Sequence, residues 1–295
     1  MTIGIFAAST SSVLIRYAQQ DADSLAIATY RLGLASLILI PALALSPQRS
    51  TLKALTRRQW LLSLLSGLFL ALHFGTWITS LEYTTVASSV VFVQTTPLFV
   101  AVFSPAFLKE SAPKRTWIGL ALALAGGVVI AGSDSCKGTC PLACLLGYGS
   151  SGSALLGDVL ALAGGIAGAA YLIIGRDLRA RLPLLTYITL VYSFAAVGLL
   201  AISLGKHVPL SGFQPMTYWL FLLLALFPQL LAHSTYNWAL RHLSATTVSV
   251  SLLGEPVSAG FLAYLFLEEI PSVLRLAGAA ITLAGIGLAI SKPKN

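Results

Sequence analysis

The chain repeats itself at an offset of 159 residues, and the recurring positions lie in or beside apolar stretches. Trp60 returns as Trp219, Leu81 as Leu240, Pro97 as Pro256, and Leu108–Lys109–Glu110 as Leu267–Glu268–Glu269. Gly119 returns as Gly278, and Leu124–Ala125–Gly126 as Leu283–Ala284–Gly285. Each copy holds about five apolar runs long enough to cross a hydrocarbon layer of about 30 Å. An odd number of crossings per copy forces the second copy to enter from the opposite side. Inverted repeats of this kind build two-sided access around a shared midplane site, the layout of secondary transporters. The expected fold class is an all-α membrane protein, with ten transmembrane helices arranged as two inverted five-helix repeats.

Composition excludes the soluble alternative. With 57% hydrophobic and 9% charged residues and a mean hydropathy of +0.86, there is too little charge to cover a water-exposed surface. The net charge of +8 invites a nucleic-acid reading. The basic residues, however, are scattered through short loops rather than gathered on one face, so topology explains them and no nucleic-acid partner is expected. The opening segment, Ile3–Tyr17, has no basic leader before it and no convincing cleavage site, and it reads as the first span.

The expected spans are 2–18, 25–46, 60–80, 84–107 and 115–133, then 155–175, 184–204, 216–237, 244–267 and 273–291. This divides the chain into a first repeat (1–133), a linker (134–154) and a second repeat (155–291). With ten spans, Arg49, Lys53, Arg57, Arg58, Lys109, Lys114, Arg115, Arg176, Arg179, Arg181, Arg241, Lys292 and Lys294 all fall on one side. The other side receives Asp21, Asp23, Glu82, Lys137, Asp158, Lys206 and the Glu268–Glu269 pair with Arg275. That asymmetry places both termini in the cytoplasm, with a bacterial inner membrane as the expected location. The Gly- and Ser-rich linker carries Cys136, Cys140 and Cys144. In an oxidising compartment two of them could pair; as a zinc site the set lacks a fourth ligand and any histidine, so no metal is expected.

Paired motifs carry a family resemblance. Leu81–Glu82–Tyr83–Thr84–Thr85–Val86–Ala87, Thr96–Pro97–Leu98–Phe99 and Leu108–Lys109–Glu110 are matched by Leu240–Arg241–His242–Leu243–Ser244–Ala245–Thr246, Leu253–Gly254–Glu255–Pro256–Val257 and Leu267–Glu268–Glu269. Together they resemble the EamA domain, and the whole chain resembles the ten-span, two-domain members of the drug/metabolite transporter superfamily. The resemblance implies that four spans of each repeat surround a central cavity while the fifth and tenth lie outside it. It also implies transport of small metabolites, amino acids among them.

Polar groups at membrane depth are costly and mark cavities or helix contacts. Gln229, His233 and Asn237 recur at helical spacing in the eighth span, and His73, Trp77 and Ser80 in the third. Gln94, Thr95 and Thr96 precede Pro97 in the fourth; Thr247, Ser251, Glu255 and Ser258 line one face of the ninth. The serines and threonines also suit interhelical hydrogen bonds. Glu255, the one carboxylate expected well inside a span, could hold a substrate ammonium, carry a coupling proton, or pair structurally with Arg31 or a histidine. Arg31 could clamp a substrate carboxylate, snorkel to the interface, or pair with Asp21 or Asp23. The candidate cavity set is thus Arg31, His73, Trp77, Gln94, Thr95, His233, Asn237, Ser251 and Glu255. The glycine pattern at Gly119, Gly126–Gly127, Gly278 and Gly285 suits close packing within each repeat or a dimer contact.

A lining that mixes His, Trp, Gln, Asn, Ser and one Glu suits a zwitterion with an apolar side chain, so amino acid export is the leading expectation. A hydrophobic-cation drug exporter and a nucleotide-sugar or sugar-phosphate carrier are the alternatives, the latter short of buried basic residues. A passive channel or an intramembrane enzyme is the alternative class, but no nucleophile motif, paired aspartates, metal pattern or Walker motif is present, and no cofactor is implied.

Overall fold

Helix starts coincide with residues that can cap them. The computed structural model describes residues 1–135, 152–267 and 272–291; the three cysteines, Glu268–Glu269, Lys292 and Lys294 lie outside this range. Asp23 accepts a hydrogen bond from Leu25 N (2.7 Å), and Thr56 forms a reciprocal capping box with Gln59. Thr85 and Ser244, themselves 159 residues apart, accept from the amides of Ser88 and Thr247 (3.1 Å each). Each such cap contributes about 0.5–2 kcal/mol.

Among the described residues all regular structure is helical; besides two short turns at Pro47–Arg49 and Ser50–Lys53, the first part of the chain forms α1 (Thr2–Ser9), α2 (Ser11–Ala18), α3 (Ser24–Leu45), α4 (Arg57–Tyr83), α5 (Val86–Val93), α6 (Thr96–Leu108) and α7 (Lys114–Ser135). There follow α8 (Gly152–Arg179), α9 (Leu184–Gly205), α10 (Pro215–Leu224), a π-helical segment (Ala225–His233), α11 (Ser234–Ala239), α12 (Ala245–Leu252), α13 (Glu255–Leu267) and α14 (Val273–Ile290). Among the described residues, eight helical runs are long and apolar enough to cross a membrane. The expected first span is divided at Thr10. The fourth is divided at Gln94–Thr95 and the ninth at Leu253–Gly254, positions again 159 apart.

The widest helix contacts join α7 to α14, α4 to α8 and α3 to α9, with α1 against the π segment and α2 against α10. Small residues make the first of these possible. A Cβ added at Gly126 would lie 2.4 Å from Thr282 Oγ1, and one at Gly285 would lie 2.4 Å from Ala123 N. A Cβ at Gly119 would lie 2.5 Å from Ala289 N, and one at Gly278 would lie 2.9 Å from Gly126 O. The glycines therefore join the first repeat to the second, not the helices within one repeat as expected from the sequence, because α7 and α14 are each other's main neighbours.

Charged groups collect at two ends of the bundle. At one, Arg58 meets Asp177 (2.8 Å), and Glu110 accepts from Arg176 Nε (2.7 Å) and Ala245 N (3.2 Å). At the other, Asp21 accepts from Gln214 N (2.8 Å) and Thr217 Oγ1 (2.7 Å), while Ser24 donates to Glu82. Asp158, expected among the loop charges, instead lies buried in α8, where Thr84 and Ser88 hydroxyls donate to it at 2.9 and 2.6 Å. A buried carboxylate is tolerated there because its oxygen is satisfied.

The donors around Asp21, Thr217 first, hold its carboxyl below the ordinary pKa of 3.8. This tie is complete above that value and is lost as the pH falls through the depressed folded value, so Asp21→Asn should reduce thermal stability at neutral pH and flatten its decline in acid. Gly126→Ala should cost about 1–3 kcal/mol through overpacking, read as a lower melting temperature in detergent. Gly33→Ala, where nothing lies within 4 Å of the added methyl, should be neutral or stabilising; equal responses at the two positions would contradict the packing described.

Candidate functional site

The helix breaks at Gln94–Thr95 and Leu253–Gly254 meet the π segment and the middle of α4 and α8, and a cavity lies where they converge. Pro228 inside the π segment cannot donate a backbone hydrogen bond and crowds the preceding turn, so the helix widens there. The wider turn separates three residues expected on one face. His233 lines the cavity, Gln229 is buried behind it, and Asn237 is buried with Nδ2 donating to Tyr171 Oη (2.6 Å) and Tyr192 Oη (3.2 Å).

Arg31 projects from α3 and is 1% exposed, so it does not snorkel. Neither Asp21 nor Asp23 pairs with it; each is committed elsewhere. Its Nε donates to Gln229 Oε1 (2.9 Å), its Nη1 to Ser11 Oγ (2.9 Å), and its Cζ sits 3.9 Å from the centre of the Phe74 ring. These are neutral partners, and among the described residues Arg31 forms no ion pair.

Glu255 opens α13 and lines the same cavity. The Tyr236 hydroxyl lies 3.0 Å from Glu255 Oε1 and 3.2 Å from Gly4 O, and its single proton serves one of them at a time. The helix N-terminus also favours a negative group at this position. Ser9 Oγ reaches Glu255 O (2.9 Å) and so ties α1 to the second break.

Aromatic rings form the wall between these charges. His73 stacks on Trp77 (6.0 Å between ring centres, 20° between planes) and lies 6.5 Å from His233, which is flanked by Phe74 at 5.1 Å and Tyr236 at 5.5 Å. His73 Nδ1 sits 2.8 Å from Gly164 O. A carbonyl can only accept, so Nδ1 carries the proton and a neutral ring keeps Nε2 as an acceptor. Gly168 permits this approach, because a Cβ there would lie 3.0 Å from His73 Nδ1. Trp77 Nε1 and His233 Nδ1 are buried without a hydrogen-bond partner among the described residues.

Of the nine residues singled out in the sequence, the cavity gathers Arg31, His73, Trp77, Gln94, His233 and Glu255. Thr95 and Ser251 bond back to their own helices, at Phe92 O (2.6 Å) and Thr247 O (2.9 Å), and Asn237 stands behind the wall. Tyr171, Tyr236 and Ser11, which line it, were missed. Tyr236 follows His233 by three residues, a spacing that could have found it. Tyr171 follows the glycine stripe of α8, a weaker signal.

The cavity measures about 90 Å³. Small-molecule sites usually fall in the range of roughly 300–1,000 Å³, so a metabolite enters only if the surrounding helices separate.

Residues 1–132 and 155–291 match the model of the EamA-like transporter family. The chain belongs to that family. A similar protein from Archaeoglobus fulgidus, named an uncharacterized transporter, is 27% identical over 285 residues that cover 96% of this chain and 93% of that one. The uncharacterized transporter YetK of Bacillus subtilis is 26% identical over 219 residues, covering 72% of this chain and 62% of its own length. A solved crystal structure of a protein shares the fold, with a TM-score of 0.77 at 18% identity, covering 98% of this chain and 94% of that one. An EamA-like transporter with this polar cavity among apolar helices is an integral membrane protein that handles a small molecule.

Asn237→Ala removes the donor to two buried phenol oxygens and should cost about 1–3 kcal/mol of stability, seen as a lower melting temperature in detergent. Unchanged stability together with lost transport would instead put Asn237 in contact with the solute.

Proposed function

We propose that the chain is a secondary transporter that exports small metabolites, with neutral and aromatic amino acids as the substrate class, by alternating access around the cavity. The observation that carries the reading is the cavity itself: a cation, a carboxylate and an aromatic wall at the meeting point of helices broken at repeat-related positions. Unwound backbone at corresponding places in two halves is the usual mark of a transporter's binding site.

Ten spans in two inverted repeats, 1–133 and 155–291 about a linker at 134–154, is the arrangement we favour, with both termini cytoplasmic in a bacterial inner membrane. The repeat-related helix breaks and caps support it, as does the sorting of charge contacts to two ends. Two matched backbone contacts support the alternation: Arg176 Nη1 donates to Leu240 O, and Arg16 Nη1 donates to Leu81 O, each at 2.7 Å and with acceptors 159 residues apart. Only Arg176 also holds a described carboxylate, Glu110.

An organic cation would share the cavity with the Arg31 guanidinium, and a sugar phosphate would meet one arginine and a carboxylate. Both fit less well than an amino acid. Glu255 is the candidate for proton coupling, since a carboxylate in this setting can exchange a proton for a substrate ammonium.

The test is counterflow of labelled neutral and aromatic amino acids into liposomes holding the purified protein. Saturable counterflow, blocked by unlabelled competitor, is the expected result; its absence from folded protein across the panel would reject the substrate class. Glu255→Gln should abolish accumulation driven by a pH gradient, while exchange at equal pH persists at higher substrate concentration. Unchanged gradient-driven flux would remove Glu255 from the coupling role.

A further inference from the structure

We infer that the cavity is a two-pole site for a free α-amino acid, with Arg31 taking the carboxylate, Glu255 the ammonium, and the His73–Trp77 pair the side chain. The inference rests on the amino acid reading above and adds which groups of the solute are obligatory.

Arg31 spends two of its five N–H donors on neutral oxygens and none on a carboxylate, although it is buried. A desolvated cation without an anion is costly. Arg31 lines the cavity, where an incoming carboxylate offsets that cost through charge-assisted bonds to its remaining donors. Glu255 mirrors it. Oε1 is held by Tyr236, Oε2 makes no hydrogen bond among the described residues, and the carboxylate forms no ion pair with Arg31. The two groups are kept apart by their own supports. Arg31 is anchored by Gln229, Ser11 and the Phe74 face, and Glu255 by Tyr236 and the start of α13.

Opposite charges held apart in one low-dielectric pocket discriminate strongly. An amine without a carboxylate satisfies Glu255 but brings positive charge beside Arg31. An acid without an ammonium satisfies Arg31 but faces Glu255. A zwitterion satisfies both, and repulsion of the wrong partner contributes as much to selectivity as attraction of the right one. The stacked His73 and Trp77 rings offer a flat apolar surface for a side chain, and the unpartnered Trp77 Nε1 adds one donor.

The experiment uses the full-length protein in liposomes, with labelled phenylalanine as the tracer and phenylalanine, phenethylamine and 3-phenylpropionate as competitors. Phenylalanine should compete at least about tenfold better than either relative, the effect of one lost charge-assisted contact. In Arg31→Gln the preference for phenylalanine over phenethylamine should collapse while that over phenylpropionate persists; in Glu255→Gln the pattern should cross. A merely structural role for either residue would weaken all three competitors together, and that result overturns the inference. Equal competition by the three compounds in the unaltered protein overturns it without any variant and leaves amino acid transport standing. No counterflow of any amino acid overturns the underlying reading and this inference with it.

Discussion

A backbone group freed by a helix break has no water to bond within a bilayer. It must be buried in protein, satisfied by a side chain, or turned into a cavity. That constraint organises the molecule. The breaks at Gln94–Thr95 and Leu253–Gly254 lie in its interior, and side chains close over the loosened turns: Thr96 Oγ1 reaches Val93 O (2.7 Å) and Gly165 O (3.0 Å), and Ser9 Oγ reaches Glu255 O (2.9 Å). Gly165 in α8 lets the neighbouring backbone come close enough for such bonds, since a Cβ there would lie 3.0 Å from Val93 O. The polar cavity follows from the same requirement.

Within that cavity the electrostatics are asymmetric. Each charge is held in place by neutral dipoles and rings, with no direct bridge between the two among the described residues. A direct Arg31–Glu255 bridge would neutralise the pocket and leave nothing for a solute to offset. Gln229, Ser11, Phe74 and Tyr236 hold the two groups in place, so under the proposed reading these supporting residues bear on recognition together with the charged pair. The small volume of the cavity points the same way, since filling it means moving the helices that carry those supports.

Much of this was legible in the sequence, for physical reasons. Hydropathy marks apolar helices well because lipid imposes length and composition together. The repeat marked the paired breaks and caps, since Thr85 and Ser244 do the same work 159 residues apart. Helical spacing found His73 with Trp77 because α4 is regular there. The same spacing failed for Asn237 because the π segment around Pro228 changes the turn, and no periodicity rule anticipates that. Asp158 was misread because a carboxylate near a helix start resembles a loop charge until Thr84 and Ser88 are seen to hold it. Tyr171 and Tyr236 passed unnoticed because aromatic residues on apolar helices usually serve packing alone.

The contact of α7 with α14 has an evolutionary consequence. Gly126 lies against Thr282, Gly119 against Ala289, and Gly285 against Ala123, so each close approach is made by one residue from each half of the duplicated chain. Where a half faces lipid or solute, its sequence can drift alone. At these crossings a larger side chain in one half is admissible only if the other half gives way, and the two copies must change in step. The seam between them is therefore where the memory of the duplication should erode last.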